Sequence, residues 1–191
     1  LDDSISTLAR QSWWRKGNSK GEDINLWFRP LDLETERDLY LSARRDAWIS
    51  ILGTNVPFDG PAFLQGAAQA AEQDPWALVS VMCKEKFVGV LQLAPQRFQE
   101  EQGGFLSLCY LIPSFRGKGL GVQLLGQAVS FYRPLGRTTL RLRSSPTNEP
   151  LQRFCAKYEF HKTGEDQVGG RTLDLLEKYI GYETPASLAA R

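Results

Sequence analysis

The chain has 191 residues, which suits one substantial domain or two very small ones. Its hydrophobic content of 42% supports a buried core, and 23 Lys and Arg residues against 22 Asp and Glu residues give a formal net charge of +1. This balance excludes a global field that would attract nucleic acid or an anionic membrane. No apolar run is long enough to span a bilayer.

Cysteine and histidine usage narrows the chemistry. Cys83, Cys109 and Cys155 lie far apart and form no C-x-x-C pair, which is typical of reduced thiols in a cytoplasmic protein. His161 is the single histidine and lies in a strand-like stretch. We therefore expect no metal site and no hydrolase chemistry based on a Ser-His-Asp or Cys-His arrangement.

The chain starts at Leu1 and carries no signal-peptide pattern, which predicts a processed product or a piece of a longer protein. Residues 1–23 are predicted to form an N-terminal extension or linker, because the polar stretch 17–21 separates them from the rest of the chain. Residues 24–191 are assigned to one domain.

The first half of this domain is predicted to hold a short strand, two helices and a hairpin. Leu26–Phe28 has strand character, and the apolar residues after Asp32, its candidate cap, recur at helical spacing until Gly53. An alanine-rich second helix covers residues 62–73. The β-rich runs 76–83 and 87–93, separated by three charged residues, indicate a hairpin.

The second half alternates strands and helices. The predicted elements are a buried strand (105–112), a helix (117–132), a strand (138–143), a short helix (150–158) and two closing strands (160–164 and 171–180). The last segment also fits helical spacing. This order predicts an α/β protein with a mixed sheet and helices on its faces.

The glycine-rich turn after the 105–112 strand carries the chemical information. Gly117, Gly119 and Gly121 open the following helix, where unpaired N–H groups and the helix dipole favour a negative charge. Arg116 and Lys118 add positive charge at the same place. The pattern predicts phosphate binding; the alternative is that the glycines only solve a steric problem.

Two nucleotide-binding patterns do not fit this turn. The Walker A pattern is absent, and a Rossmann G-x-G-x-x-G motif would need glycine where the chain has Val122. Arg141 and Arg143 lie about 20 residues beyond the glycines, where an NADP-binding arginine is found. An NADP-dependent oxidoreductase therefore stays open.

The segment Arg116-Gly-Lys-Gly-Leu-Gly matches the [QR]-x-x-G-x-[GA] signature of the GNAT superfamily of N-acetyltransferases, and Leu111-Ile112-Pro113 matches the strand end before it. Asn148, the short helix and the Phe160 strand follow at family-like spacing. The chain thus resembles this family over residues 105–160 by motif and over residues 26–182 by element order. The resemblance implies a mixed, mostly antiparallel sheet with splayed central parallel strands and helices on both faces.

The resemblance also implies acetyl-CoA as the acyl donor. Its pantetheine arm would lie between the splayed strands, its diphosphate on the backbone of residues 116–121, and its thioester carbonyl near the Leu111 N–H. Asn148 would hold the cofactor or the strand end, or cap the short helix. The implied cofactor-binding residues are Leu111, Ile112, Arg116, Gly117, Lys118, Gly119, Leu120, Gly121, Asn148 and Phe154.

The catalytic residues depart from the family pattern. Cys155 stands where the family has a tyrosine that protonates the leaving thiolate, and Tyr158 lies one helical turn further on. Cys155 is either this acid or an inert buried residue. The strand lacks the family's glutamate base; Glu100 and Glu101 are substitutes or ordinary turn residues.

These observations predict an N-acetyltransferase in which a primary amine attacks the thioester directly; the alternative is a catalytically weakened acyl-CoA sensor domain of a longer chain. Trp48, Phe58 and Phe63 are expected to wall the acceptor pocket, and Asp59 either binds a cationic amine or serves in a turn. The acceptor is a small-molecule or peptide amine. We expect no nucleic-acid or membrane partner, and a homodimer stays open.

Overall fold

A computed structural model describes residues 24–182, so the predicted extension 1–23 lies outside the described residues. Seven strands form one sheet in the order β1-β2-β3-β4-β5-β7-β6, and every neighbouring pair is antiparallel except β4 and β5. The strands are β1 (Leu26–Pro30), β2 (Leu78–Cys83), β3 (Lys86–Leu93), β4 (Gly103–Leu111), β5 (Thr139–Ser144), β6 (His161–Val168) and β7 (Arg171–Tyr179). The helices are α1 (Arg37–Leu52), α2 (Gly60–Gln73), α3 (Gly121–Tyr132) and α4 (Glu149–Lys157).

The sheet separates two hydrophobic clusters, because side chains alternate between its faces. The larger cluster includes Val79 of β2 with Leu124 of α3 and Cys155 of α4. The smaller cluster includes Leu78, the neighbour of Val79, with Tyr40 of α1. This confirms the predicted mixed, mostly antiparallel sheet with a central parallel pair and helices on both faces. Across residues 24–182 we find no helix with the length and apolar character needed to cross a bilayer.

Two element predictions need correction, and one alternative is excluded. Helix α3 begins at Gly121 rather than at residue 117, because Gly117 and Gly119 have φ of +70° and +73°, which a helix does not allow. Helix α1 begins at Arg37, because the Asp32 carboxylate accepts hydrogen bonds from the Glu34 N–H and the Thr35 hydroxyl in a turn before it. The last segment is strand β7, as predicted, and the helix alternative does not hold, since the segment pairs with both β5 and β6.

Strands β4 and β5 pair over only four residues and then diverge. Their parallel register runs from Gly103 opposite Thr139 to Leu106 opposite Leu142. Beyond this point β4 pairs with β3 alone and β5 with β7 alone. The separation starts at a β-bulge, because Leu93 and Gln92 of β3 face Leu106 and Leu108 of β4 and leave Ser107 as the additional residue.

The paired part of β4 is fixed by Tyr132 at the end of α3. The side chain of Tyr132 is fully buried, and its hydroxyl donates to the Phe105 carbonyl at 2.8 Å and accepts from the Ala94 N–H at 3.2 Å. A Cβ atom on Gly104 would lie 2.6 Å from two atoms of this ring. Glycine at this position therefore lets α3 pack closely on the paired part of β4.

Candidate active site

The gap between the diverging strands opens into a cavity of about 190 Å³. Its walls come from both faces of the sheet, since Arg44 and Trp48 of α1 line it together with Leu151 of α4. Ser107 and Arg143 line it from the two strands themselves. The cavity therefore passes through the sheet at the place where an added extended chain could lie.

The loop from Arg116 to Leu120 leads from β4 into α3 and leaves the start of this helix without a side-chain cap. Leu120 occupies the N-cap position and has no polar side-chain atom, and the first turn of α3 has no acidic residue. A Cβ atom on Gly117 would meet nothing within 4 Å, so the loop faces open space at this point. Lys118 stacks over the Phe115 ring at 5.3 Å. The start of a helix without a side-chain cap, next to open space, suits an anion here.

The Arg116 side chain stabilises this loop through two contacts. Its Nε atom donates to the Leu111 carbonyl at 2.7 Å, and its Nη2 atom lies 2.6 Å from the Asp46 carboxylate of α1. Burial acts to raise the pKa of Asp46, but hydrogen bonds from Arg116 and Tyr110 outweigh it and lower this pKa. The charged Asp46 carboxylate thus links α1 to the turn after β4 through its ion pair with Arg116. The sequence patterns did not identify Asp46.

The third glycine of the signature serves packing. A Cβ atom on Gly121 would lie 2.9 Å from the Phe154 ring of α4. The Phe154 ring in turn packs against Tyr158, with 4.7 Å between the ring centroids. The steric interpretation of the glycines therefore holds for Gly121, whereas Gly117 and Gly119 are required by their positive φ.

Leu111 and Ile112 lie where β4 ends. The Ile112 N–H donates to the Val88 carbonyl of β3 at 2.9 Å. Because N–H groups of successive residues in a strand point in opposite directions, the Leu111 N–H faces away from β3, towards the gap. This strand end therefore presents a backbone donor next to the cavity.

Asn148 caps helix α4. Its Oδ1 atom accepts from the Leu151 N–H at 3.2 Å, and Pro150 lies in the first turn. The capping role considered from the sequence is thus the one that its side-chain oxygen fulfils.

The two candidate acids differ in accessibility. The Cys155 side chain is 1% exposed within the larger cluster, and burial raises its pKa to about 12. Tyr158 is half-buried at the end of α4, where the Lys157 ammonium stacks over its ring at 5.4 Å. A buried thiol with so high a pKa is a weak proton donor, so the geometry supports the inert interpretation of Cys155.

Glu101, a candidate substitute for the family's base, and the two arginines at the position of an NADP-binding arginine all form ion pairs within the protein. Glu101 precedes β4 at the end away from the gap, and it forms an ion pair with Arg141. Arg141 also binds Glu177, and Arg143 binds Asp166. These arginines are thus held by carboxylates within the sheet, which removes the observation that had kept an NADP-dependent oxidoreductase open. Among residues 24–182, no cluster of three or more His, Cys, Asp or Glu side chains could hold a metal ion.

The predicted aromatic residues form one group over the gap. Phe63 lies 5.1 Å from Phe58 and 5.2 Å from Trp48, measured between ring centroids. Trp48 and Phe63 line the cavity. Asp59 caps α2, since its carboxylate accepts from the Ala62 N–H at 3.0 Å, so its structural role is that of a helix cap and not of a turn residue.

Arg44 is a second residue that the sequence analysis missed. Its Nη1 and Nη2 atoms donate to the carbonyl and hydroxyl oxygens of Ser107, the bulge residue, at 2.8 and 3.1 Å. A signal was present, since Arg44 follows the buried Tyr40 by four residues and Ala43 by one, which places a charge on the inward face of α1.

Comparison with known proteins supports the relation to the GNAT family that the sequence signature indicates. The sequence model described as the acetyltransferase (GNAT) family matches residues 37–160, which is more than half of the chain. Comparison with curated protein sequences finds no match.

Solved structures share the fold at low sequence identity. YncA from Salmonella typhimurium, solved with its cofactor acetyl-CoA, is 17% identical with a TM-score of 0.64 and covers 84% of this chain and 96% of its own. The PaiA N-acetyltransferase from Thermoplasma acidophilum, in complex with coenzyme A, is 16% identical with a TM-score of 0.62 over 82% and 99% of the two chains. The ribosomal-protein-alanine N-acetyltransferase from Brucella melitensis is 20% identical with a TM-score of 0.62 over 80% and 99%. At such identities the likeness concerns the fold, and it is the family match over residues 37–160 that places this chain in the acetyltransferase (GNAT) family.

Proposed function

We propose that this protein transfers the acetyl group of acetyl-CoA to a primary amine by direct attack in a ternary complex. Membership of the GNAT family makes it an acetyltransferase with acetyl-CoA as donor; the acceptor and the route are our proposal. The observation that carries it is the gap between β4 and β5, which begins beyond the Leu106–Leu142 pair beside the uncapped start of α3.

The diphosphate of acetyl-CoA would bind the backbone amides of residues 116–121. Gly117 and Gly119 turn the backbone there, Leu120 leaves the helix start uncapped, and Lys118 adds positive charge. The Arg116 side chain would hold the loop in shape through Leu111 and Asp46 rather than contact the diphosphate.

The pantetheine arm would lie in the gap as an additional strand, with Ile112 and Phe154 beside it. The Leu111 N–H, directed towards the gap, would donate to the thioester carbonyl and stabilise the oxyanion that forms on attack. Asn148 would contribute by holding the start of α4, where it already caps the helix.

The acceptor would enter between α1, α2 and β4. Arg44 and Arg143 line the cavity, and no Asp or Glu among the described residues does. A positive surrounding lowers the pKa of a bound amine, so the amine would arrive neutral without a glutamate base.

The chemical step balances without a further reactant. The amine nitrogen forms a bond to the acetyl carbon, the carbon–sulfur bond breaks, and the sulfur leaves as a thiolate with the electron pair. The nitrogen loses its proton to solvent, and the thiolate takes one from Tyr158 or solvent, with Cys155 too buried to compete.

A catalytically weakened acyl-CoA sensor is the second candidate. It is favoured by one observation: Cys155, at the position of the family's acid, is 1% exposed with a pKa of about 12. A sensor would bind acetyl-CoA and leave every amine unacetylated.

Release of free thiol from acetyl-CoA with a panel of primary amines, with mass spectrometry of the products, tests the function. We expect amine-dependent release; acetyl-CoA binding without turnover for any amine would favour the sensor. Gly119→Glu tests the binding loop, because it places a bulky anion against the diphosphate and should abolish acetyl-CoA binding. Gly136→Glu is the matched control, since Gly136 also has positive φ (+71°) and follows α3 at its other end. Equal affinity of both variants would refute the loop assignment.

We also propose that the protein acts in the cytoplasm and that residues 24–191 form its domain. The free thiols of Cys83, Cys109 and Cys155, of which Cys109 is exposed, support a reducing compartment. Fractionation of cells and limited proteolysis test these two points.

A further inference from the structure

Arg44 is a partly buried cation that no carboxylate of the described residues balances. Among residues 24–182 its guanidinium donates hydrogen bonds only to the neutral oxygens of Ser107, and it stacks over the Phe63 ring at 4.5 Å. No Asp or Glu side chain in residues 24–182 lies within ion-pair distance of it, and its Nε atom is buried without a hydrogen-bond partner. An unbalanced guanidinium in a half-buried place is costly unless an anion joins it.

The surroundings of Arg44 add positive charge. Arg143 lines the same cavity, and it shares a single carboxylate, Asp166, with Arg97. Within the part of the chain that the structure describes, the three guanidinium groups of Arg44, Arg97 and Arg143 therefore have one carboxylate between them. This leaves a positive excess beside the gap.

Arg44 also lies where two cavities meet. Together with Phe63 and Ser107 it lines both the cavity over the gap and a second cavity of about 250 Å³ between α2 and β3. Neither cavity has an Asp or Glu from residues 24–182 in its walls. A molecule that extends from the gap into the second cavity must pass the guanidinium.

From this arrangement we propose that the acceptor is an amine that also carries a carboxylate, which Arg44 binds while the amine faces the thioester. The planar fork of arginine matches a carboxylate, and three of its five N–H donors are not used by Ser107. The aromatic rings of Trp48 and Phe63 would hold the apolar body of the acceptor. A polyamine or another cationic acceptor would be repelled. This inference rests on the proposed acetylation of amines.

The test compares acceptors that differ only in the carboxylate. L-phenylalanine is paired with 2-phenylethylamine, and 5-aminopentanoate with butylamine, so that both spacings between amine and carboxylate are covered. We expect the acid of at least one pair to be acetylated with a kcat/KM about 10- to 100-fold higher than that of its partner without the carboxylate. Equal or lower values for the acids of both pairs would overturn the inference.

Substitution of Arg44 gives the second arm. In Arg44→Met the KM for the acid should rise and its kcat/KM should fall about 10- to 100-fold more than that of the amine without a carboxylate, which loses only the effect of the Arg44 charge on the pKa of the bound amine. Arg44→Lys, which keeps the charge, should recover part of the loss. Arg45→Met is the control, because Arg45 stacks over Phe58 at 4.7 Å and lines neither cavity. A purely structural role through Ser107 would lower the values for acid and amine alike, and this result would refute the proposal.

Equilibrium binding separates the inference from the proposed function. With coenzyme A present, N-acetyl-L-phenylalanine and 5-acetamidopentanoate are compared by calorimetry with their neutral counterparts, N-(2-phenylethyl)acetamide and N-butylacetamide. Tighter binding of an acid that is lost in Arg44→Met supports the carboxylate site even if no amine is acetylated, a case in which only the proposed function fails. If neither acid binds more tightly than its neutral counterpart, the carboxylate site is refuted, even if amines without a carboxylate are acetylated.

Discussion

Replacing Gly121 with alanine tests how α4 is docked on the cofactor loop. The added Cβ atom would lie 2.9 Å from Cε2 and 3.4 Å from both Cδ2 and Cζ of Phe154. The first distance is shorter than a carbon–carbon contact allows, so the ring must move away from α3 or the helix must shift.

The magnitude is the balance of two opposing effects. Overpacking of this kind costs about 1–3 kcal/mol, and alanine in place of glycine in a helix gains up to about 1 kcal/mol. Gly66 of α2 offers a matched control, because a Cβ atom there meets nothing within 4 Å. Gly66→Ala should therefore show the gain in helix propensity without any overpacking. The free energy of unfolding of Gly121→Ala should therefore be about 1–3 kcal/mol below that of Gly66→Ala.

Urea unfolding of the two variants measures this difference, provided that both keep the same m-value. Phe154→Leu removes the edge of the ring. In the Phe154→Leu background, Gly121→Ala should therefore lower the free energy of unfolding by less than it does in the wild-type protein. If Gly121→Ala proves as stable as Gly66→Ala, Phe154 does not pack against Gly121 and the steric reason given for the third glycine is wrong.

Three further perturbations have defined outcomes. Gly104→Ala should lower the free energy of unfolding by about 3 kcal/mol in urea titrations, because the Tyr132 ring 2.6 Å away is buried and hydrogen-bonded; a loss below about 1 kcal/mol would contradict the close packing. Cys155→Ala should leave kcat nearly unchanged in the thiol-release assay, and a large fall would show that the buried thiol is the acid. The hydrogen bond from Arg29, opposed by burial, holds the pKa of Glu36 below its usual 4.5. The charged carboxylate therefore stabilises the fold at neutral pH. This contribution to stability disappears as the pH falls from about 4.5 through the lowered pKa. Glu36→Gln should therefore cost about 1 kcal/mol at pH 7 and flatten the acid limb of the stability curve, whereas parallel curves for both proteins would contradict the assignment.

Much of the fold could be predicted from local patterns. Two β-rich runs separated by charged residues identified the hairpin of β2 and β3, the alanine-rich composition identified α2, and the candidate cap Asn148 with Pro150 in the first turn identified α4. The start of α3 was placed four residues early, because the pattern does not distinguish a glycine in a helix from one with positive φ. That distinction depends on backbone angles which only the folded loop fixes.

The site could be predicted only in part, for a similar reason. The signature located the loop 116–121 because its residues are adjacent in sequence. Arg44 and Ser107 are 63 residues apart and meet only because α1 lies across the bulge in β4. The Asp46–Arg116 pair spans 70 residues in the same way. Contacts of this kind leave a trace in the sequence only as a charge on an otherwise apolar helix face.

Binding of coenzyme A to the loop between β4 and α3 is the claim on which the proposed function rests. A crystal structure of the protein grown with coenzyme A tests it most directly. We predict the diphosphate within hydrogen-bonding distance of the backbone amides of residues 116–121, and the pantetheine arm in the gap beyond Leu106 and Leu142. Coenzyme A bound at any other surface, with this loop and gap empty, would contradict the account.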